Sequence, residues 1–99
     1  MELGKVIKQI RKQKRIPQGI LAEQCGVSQT YLSQIENEKK EPTITVLKNI
    51  AQYLDTPLPI MFFLAIDEGD VKEEKKTQFN EFEPVIKGII DKIFVNDTV

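Results

Sequence analysis

The stretch QGILAEQCGVSQTYLSQIE, residues 18–36, decides how the rest of the chain reads. It holds two short helical patterns on either side of Gly26. Leu21, Ala22 and Cys25 share one face of the first. Leu32 and Ile35, flanked by Tyr31, share one face of the second. Gly26 supplies a tight turn, and Ser28 is a good N-cap for the helix that follows. Small Ala22 stands where the two helices cross, with Val27 and Leu32 packing back. This is helix-turn-helix spacing.

The second of these helices, extended to Lys40 as SQTYLSQIENEKK, carries an unusual face. Opposite Leu32 and Ile35 it presents Gln29, Thr30, Ser33 and Gln34. A helix facing solvent ordinarily carries Lys and Glu there, because these solubilise it and pair at i,i+4. Uncharged donors and acceptors suit base edges in the major groove, where Gln can pair with adenine bidentately and Ser or Thr can meet several bases. A carboxylate on that face would be repelled by phosphates. A solvated polar face is the plainer alternative, and the face alone does not exclude it.

Working outward, Leu3, Val6, Ile7 and Ile10 form one apolar stripe of a first helix, running from Leu3 to about Arg15 and closed by Pro17. Downstream, residues 37–42 read as a charged loop. Thr43 can cap a fourth helix with Leu47, Ile50, Ala51 and Leu54 on one face. Pro57 and Pro59 mark the next boundary, and Pro59 suits the first turn of a fifth helix, PIMFFLAI. That helix is apolar nearly all round, so a small domain covers only part of it. Residues 67–77, DEGDVKEEKKT, read as a charged linker. A sixth helix follows, with Phe82, Ile86, Ile89, Ile90, Ile93 and Phe94 at helical spacing. The expected architecture is all-α: a five-helix domain over 1–66, a linker over 67–77, and a C-terminal amphipathic helix over 78–99.

Composition narrows the function class. The 99 residues are 40% apolar and 29% charged, ordinary for a globular chain. There is no His and one Cys, Cys25, so no disulfide forms within the chain and the thiol fits a reducing interior. The sequence has no His/Cys metal cluster, no Ser-His or Cys-His pair, and no P-loop or GxGxxG stretch. Neither an enzyme, a metal site nor a cofactor is expected. The longest apolar run, Ile60 to Ile66, is far short of the ~20 residues a membrane span needs. The charged N-terminus is unlike a signal peptide. No membrane association and a cytoplasmic location are therefore expected. The net charge of −1 hides an asymmetry. Residues 1–57 hold nine Lys/Arg against six Asp/Glu, and residues 58–99 hold five against nine. A basic front suits an anionic partner, although chance scatter of surface charge also gives a split this small.

The stretch from Gln18 to Leu58, with GKVIKQIRKQKRIP before it, resembles the lambda-repressor-like helix-turn-helix of the Cro and XRE family of regulators. The match is distributed over Arg11, Gln18, Leu21-Ala22, Gly26-Val27-Ser28, Ile35-Glu36-Asn37, Pro42 and the apolar spacing of helix four. The resemblance implies five helices with the third as recognition helix. It implies that Gln29, Thr30, Ser33 and Gln34 face bases of double-stranded DNA. Gln18, Tyr31, Asn37, Lys39 and Lys40 would meet the DNA backbone, with Gln18 also bracing the recognition helix. Arg11 and Glu36 would form the family's partly buried ion pair. Two departures stand out. Glu38 occupies the position where the family usually has the Gly that ends helix three, and Gly19 replaces a polar helix-former.

The sixth helix has a wide apolar stripe on few residues, and such a helix is marginal alone in water. It must dock on its own domain, on a second chain, or on another protein. Members of the family commonly act as dimers, and self-association through Phe62, Phe63, Phe82, Ile86, Ile89, Ile90, Ile93 and Phe94 is the first expectation. The expected function is a sequence-specific transcriptional regulator, most readily a repressor, binding a two-half-site operator as a homodimer. The alternatives are an antitoxin whose tail grips a toxin, and a protein-interaction module that kept the fold without DNA binding.

Overall fold

The computed structural model describes residues 1–95, all of them helix, turn or loop. The last four positions of the expected 78–99 helix lie outside the described residues. Six α-helices follow in order: α1 Leu3–Gln13, α2 Gln18–Gln24, α3 Gln29–Glu36, α4 Ile44–Tyr53, α5 Leu58–Ala65 and α6 Lys76–Ile90. Two 3-10 turns, Glu68–Asp70 and Glu73–Lys75, join α5 to α6, and α6 runs on into a π-helical turn, Asp91–Val95.

Local chemistry accounts for the boundaries. Ser28 Oγ accepts the Tyr31 N–H at 3.0 Å and Thr43 Oγ1 accepts the Val46 N–H at 3.2 Å, so the expected caps of α3 and α4 form. α5 starts with Pro57 as N-cap and Pro59 in its first turn. The helix ends share one device. α1, α2, α3 and α4 each close with a residue in the left-handed region: Arg15 at φ 59°, Gly26 at 70°, Glu38 at 61° and Asp55 at 52°. In each case the next N–H reaches back to a carbonyl five residues earlier: Ile16 to Arg11, Val27 to Ala22, Lys39 to Gln34 and Thr56 to Ala51, at 2.8–3.0 Å. This is the Schellman closure. Only Gly26 adopts it without a Cβ penalty. α1 thus ends at Gln13, ahead of Pro17, because Arg15 turns the chain.

The stripes read from the sequence meet in one core. Ile7, Leu21, Leu32, Ile35, Ile50, Leu54 and Met61 are fully buried, one or two from each of the first five helices. Cys25 joins them, and burial pushes its thiol pKa up. α1 packs on α3 and α5, and α2 on α3 and α4.

The tail is not detached from this core. Val95 joins the core cluster and Phe94 packs against it, while Ile90 is buried beside them on the same tail. With Lys87 and Asp91, Val95 lines a groove against Val6, Gln9, Ile10 and Leu64. The segment expected as a bare linker holds two turns, and its first turn is tied back to the residue ahead of the α1 cap: the Met1 ammonium lies 3.4 Å from Asp67 and 3.1 Å from Asp70. Helical structure begins at Lys76 rather than at 78, with Lys76 paired to Glu73 at 3.1 Å. Pro84 sits inside α6. Its missing N–H removes the bond that would close on the Asn80 carbonyl. Among the described residues no helix is long and apolar enough to cross a membrane.

Candidate nucleic-acid interface

α3 is anchored from below by a buried polar cluster. Arg11, on α1, grips Glu36, at the end of α3, through Nε to Oε2 at 2.7 Å and Nη2 to Oε1 at 3.0 Å. The side chains are 9% and 1% exposed, so this is a buried bidentate pair rather than a surface one. Arg11 Nη1 also donates to the Ile16 carbonyl at 3.0 Å, tying in the closure of α1. Gln18, at the start of α2, donates to Glu36 Oε1 at 3.0 Å. Gln29, at the start of α3, donates to Gln18 Oε1 at 3.3 Å. A continuous path of hydrogen bonds therefore runs from α1 through the end of α3 and the start of α2 to the first residue of α3. The geometry joins Gln18 to both ends of α3: the resemblance implied that Gln18 braces this helix, and the sequence did not name Glu36 and Gln29 as its partners.

With Leu32 and Ile35 buried, the opposite side of α3 is turned outward. Gln29 and Thr30 are exposed, and Ser33 and Gln34 are half-buried. The four residues thus share one uncharged surface on a helix whose position is fixed by α1 and α2. Tyr31 packs its ring against the core edge, and the Lys40 ammonium stands 6.0 Å from the ring centroid. Lys39 and Lys40 are exposed just past the helix. Asn37 turns back: its amide donates to the Ser33 carbonyl at 2.9 Å and approaches Ser33 Oγ at 3.4 Å. One expected backbone-contacting amide is therefore engaged by α3 itself, and part of Ser33 with it.

Glu38 resolves the first departure from the family pattern. It takes the left-handed conformation ordinarily given to glycine, and its carboxylate accepts the Lys5 N–H at 2.8 Å. Glu2, the N-cap of α1, makes no side-chain cap bond, so Glu38 caps α1 from the far side of the fold. The approach is close because position 4 is glycine. A Cβ there would overlap the Ile35 carbonyl oxygen and stand 2.7 Å from Glu38 Oε1. Gly4 and Lys5 carry no motif signal, and this junction was missed from sequence. The second departure is tolerated with little room: a Cβ at Gly19 would meet Gln29 Oε1 at 3.3 Å.

The Glu38 arrangement gives a signed expectation. Glu38→Ala removes the cap and keeps the backbone penalty, so it should cost about 1 kcal/mol. Glu38→Gly removes the cap but also relieves a left-handed conformation worth ~1 kcal/mol, and should be near neutral. Denaturant melts check the order. A glycine variant less stable than the alanine variant would mean that the backbone is not strained.

Residues 7–60 match the helix-turn-helix family model. The chain is 33% identical over 86 residues to the HTH-type transcriptional regulator SinR of Bacillus subtilis, covering 86% of this chain and 74% of SinR. It is 30% identical over 83 residues to the immunity repressor protein of Bacillus phage phi105, covering 84% of this chain and 55% of the repressor. The chain spans about half of that repressor and a quarter of a Methanocaldococcus jannaschii relative. Its fold is that of the clp gene regulator ClgR from Corynebacterium glutamicum, with a TM-score of 0.64 over 92% of this chain and 88% of the other, at 21% identity.

Proposed function

We propose, from the premise that this chain belongs to the Cro/XRE family of helix-turn-helix transcriptional regulators, that it represses a promoter by binding a two-half-site operator as a homodimer, with α3 in the major groove. The observation that carries this reading is the outward, uncharged surface of α3 together with the buried Arg11–Glu36 pair and half-buried Gln18 that hold it. Base readout needs side chains held in register, since a misplaced bidentate pair loses its selectivity. Gln29, Thr30, Ser33 and Gln34 read bases in this proposal. Gln18, Tyr31, Asn37, Lys39 and Lys40 bind the phosphate backbone. Gln29 enters a groove already tethered to Gln18, so it has fewer conformations to lose on binding.

Selection of bound sequences from a random duplex pool identifies the operator, and Gln34→Ala and Gln29→Ala then test the assignment. Each should weaken operator binding by ~1–3 kcal/mol and leave nonspecific binding nearly unchanged, because a base contact discriminates and a phosphate contact does not. Gln34 gives the cleaner result, since no hydrogen bond joins it to Gln18. Lys39→Ala should weaken both kinds of DNA alike and lower the salt slope by about one. Affinities measured at one salt concentration decide it. Equal losses on operator and random DNA for the glutamine variants would sink the base-reading role.

A further inference from the structure

α6 presents an apolar stripe that its own domain leaves uncovered. Phe82, Val85, Ile89 and Ile93 are 56, 61, 51 and 65% exposed. The adjacent face is the docked one, where Ile90 and Val95 are buried. The sequence pattern had grouped Ile90 and Phe94 with the outward set and passed over Val85. The structure divides them: Ile90 and Phe94 turn inward, and Val85 outward. Four large apolar side chains in line on one helix form a patch that a solvated surface rarely carries.

The charges around the stripe identify what covers it. At ~100° per residue through α6, and somewhat less per residue in the π-helical turn that holds Lys92, Glu81 and Lys92 fall on the same border of the stripe, on the side away from the docked face. Both are exposed. They lie close to three full turns apart, so they stand in line, one near each end. Glu83 and Lys87 lie toward the docked side and bond each other at 3.6 Å.

We propose that the stripe is covered by the same stripe of a second copy, the two α6 helices running antiparallel about a two-fold axis near residue 87. In that arrangement Glu81 of each chain meets Lys92 of the other, and the pair forms twice. Phe82 lies against Ile93 of the partner subunit, and Val85 against Ile89 of the partner subunit. A parallel two-fold arrangement would put this border on opposite sides of the seam in the two copies, so Glu81 and Lys92 would not meet across it. The border charges are therefore complementary to themselves only when the chain reverses, and a two-fold axis repeats every such contact. This pairing specifies the homodimer of the function proposed above and rests on it.

The test is a charge swap read by sedimentation of the full chain at tens of micromolar. Glu81→Lys alone sets two like-charge pairs in the interface, as does Lys92→Glu alone, and each should weaken the dimer about tenfold. The combination of the two restores opposite pairs and should recover the dimer. Ile89→Asp should yield a folded monomer, its helicity followed by circular dichroism. The swaps touch only exposed positions, so they remain informative if Ile89→Asp disturbs α6. A full chain that is monomeric overturns the pairing. So does a dimer indifferent to Ile89→Asp, or a double swap that fails to recover. Operator binding followed alongside separates the two readings. A recovered dimer that binds no DNA sinks the operator proposal alone, and half-site binding by a monomer sinks the pairing alone.

Discussion

Arg11→Ala should lower the unfolding free energy by about 3 kcal/mol, several times what an exposed ion pair is worth. The reason is what the substitution leaves behind. Glu36 is 1% exposed at its side chain, and two of its three hydrogen bonds come from Arg11, at 2.7 and 3.0 Å. With Arg11 gone, a carboxylate remains in the interior with Gln18 as its donor. The Ile16 carbonyl also loses its bond from Arg11 Nη1, which loosens the closure of α1. Arg11→Lys should recover only part of the loss, because an ammonium cannot reproduce the fork that meets both carboxylate oxygens and the carbonyl. Arg11→Met combined with Glu36→Leu should recover most of it, since replacing both members by apolar side chains removes the stranded charge. Operator affinity should not follow stability in that double variant. Gln18 would lose its acceptor on Glu36, and the tether to Gln29 would lose its anchor. Urea melts and DNA titration of the same three proteins check both statements. A loss below half a kcal/mol for Arg11→Ala would mean that the pair is screened by water and supports nothing.

The sequence announced the parts of this fold that repeat locally. Apolar spacing placed α1 to α5, because a face buried against one core must recur at helical intervals. Ser28 and Thr43 were legible as caps because the cap bond spans three residues. Arg11 and Glu36 were legible through family resemblance and not through spacing. What escaped depends on contacts between distant segments. Arg15 and Asp55 take left-handed conformations that no local rule assigns to them, whereas the resemblance marked Glu38 as standing at a left-handed position. The partner that makes Glu38 useful is an N–H on another helix. The docking of Ile90 and Val95 was hidden for the same reason. A stripe read from spacing shows that a face is apolar, and it cannot divide that face between its own domain and a second chain. The α3 surface was legible as uncharged, and the resemblance implied that Gln18 braces this helix, but Gln29 as its partner was not legible, since the bond crosses between two helices.

Gly4→Ala should destabilise the protein by about 3 kcal/mol, against the direction that helix propensity alone gives. Alanine is the better helix former by ~1 kcal/mol in a helix interior, so an isolated α1 would gain from the change. In the fold, the added methyl has no space. It would overlap the Ile35 carbonyl oxygen, which is backbone and cannot rotate away, and it would stand 2.7 Å from Glu38 Oε1. α1 and α3 must then separate, and the separation reaches everything that meets at their crossing. The Lys5 N–H loses its 2.8 Å bond to Glu38, and the Arg11–Glu36 pair, about two turns along α1 and adjacent to Ile35 on α3, is pulled out of register. Gly88 supplies the control. It lies in α6 with nothing within 4 Å of an added Cβ, so Gly88→Ala should stabilise by ~0.5–1 kcal/mol. Two glycine-to-alanine changes in helices of one chain are thus expected to move stability in opposite directions, and melts at fixed protein concentration read both. Gly4→Ala should also weaken operator binding, because α3 carries the proposed base-reading residues and is the helix displaced. A Gly4→Ala protein as stable as the parent would show that the α1–α3 contact can open without loss. The backbone junction at Gly4 would then not be what sets the position of α3.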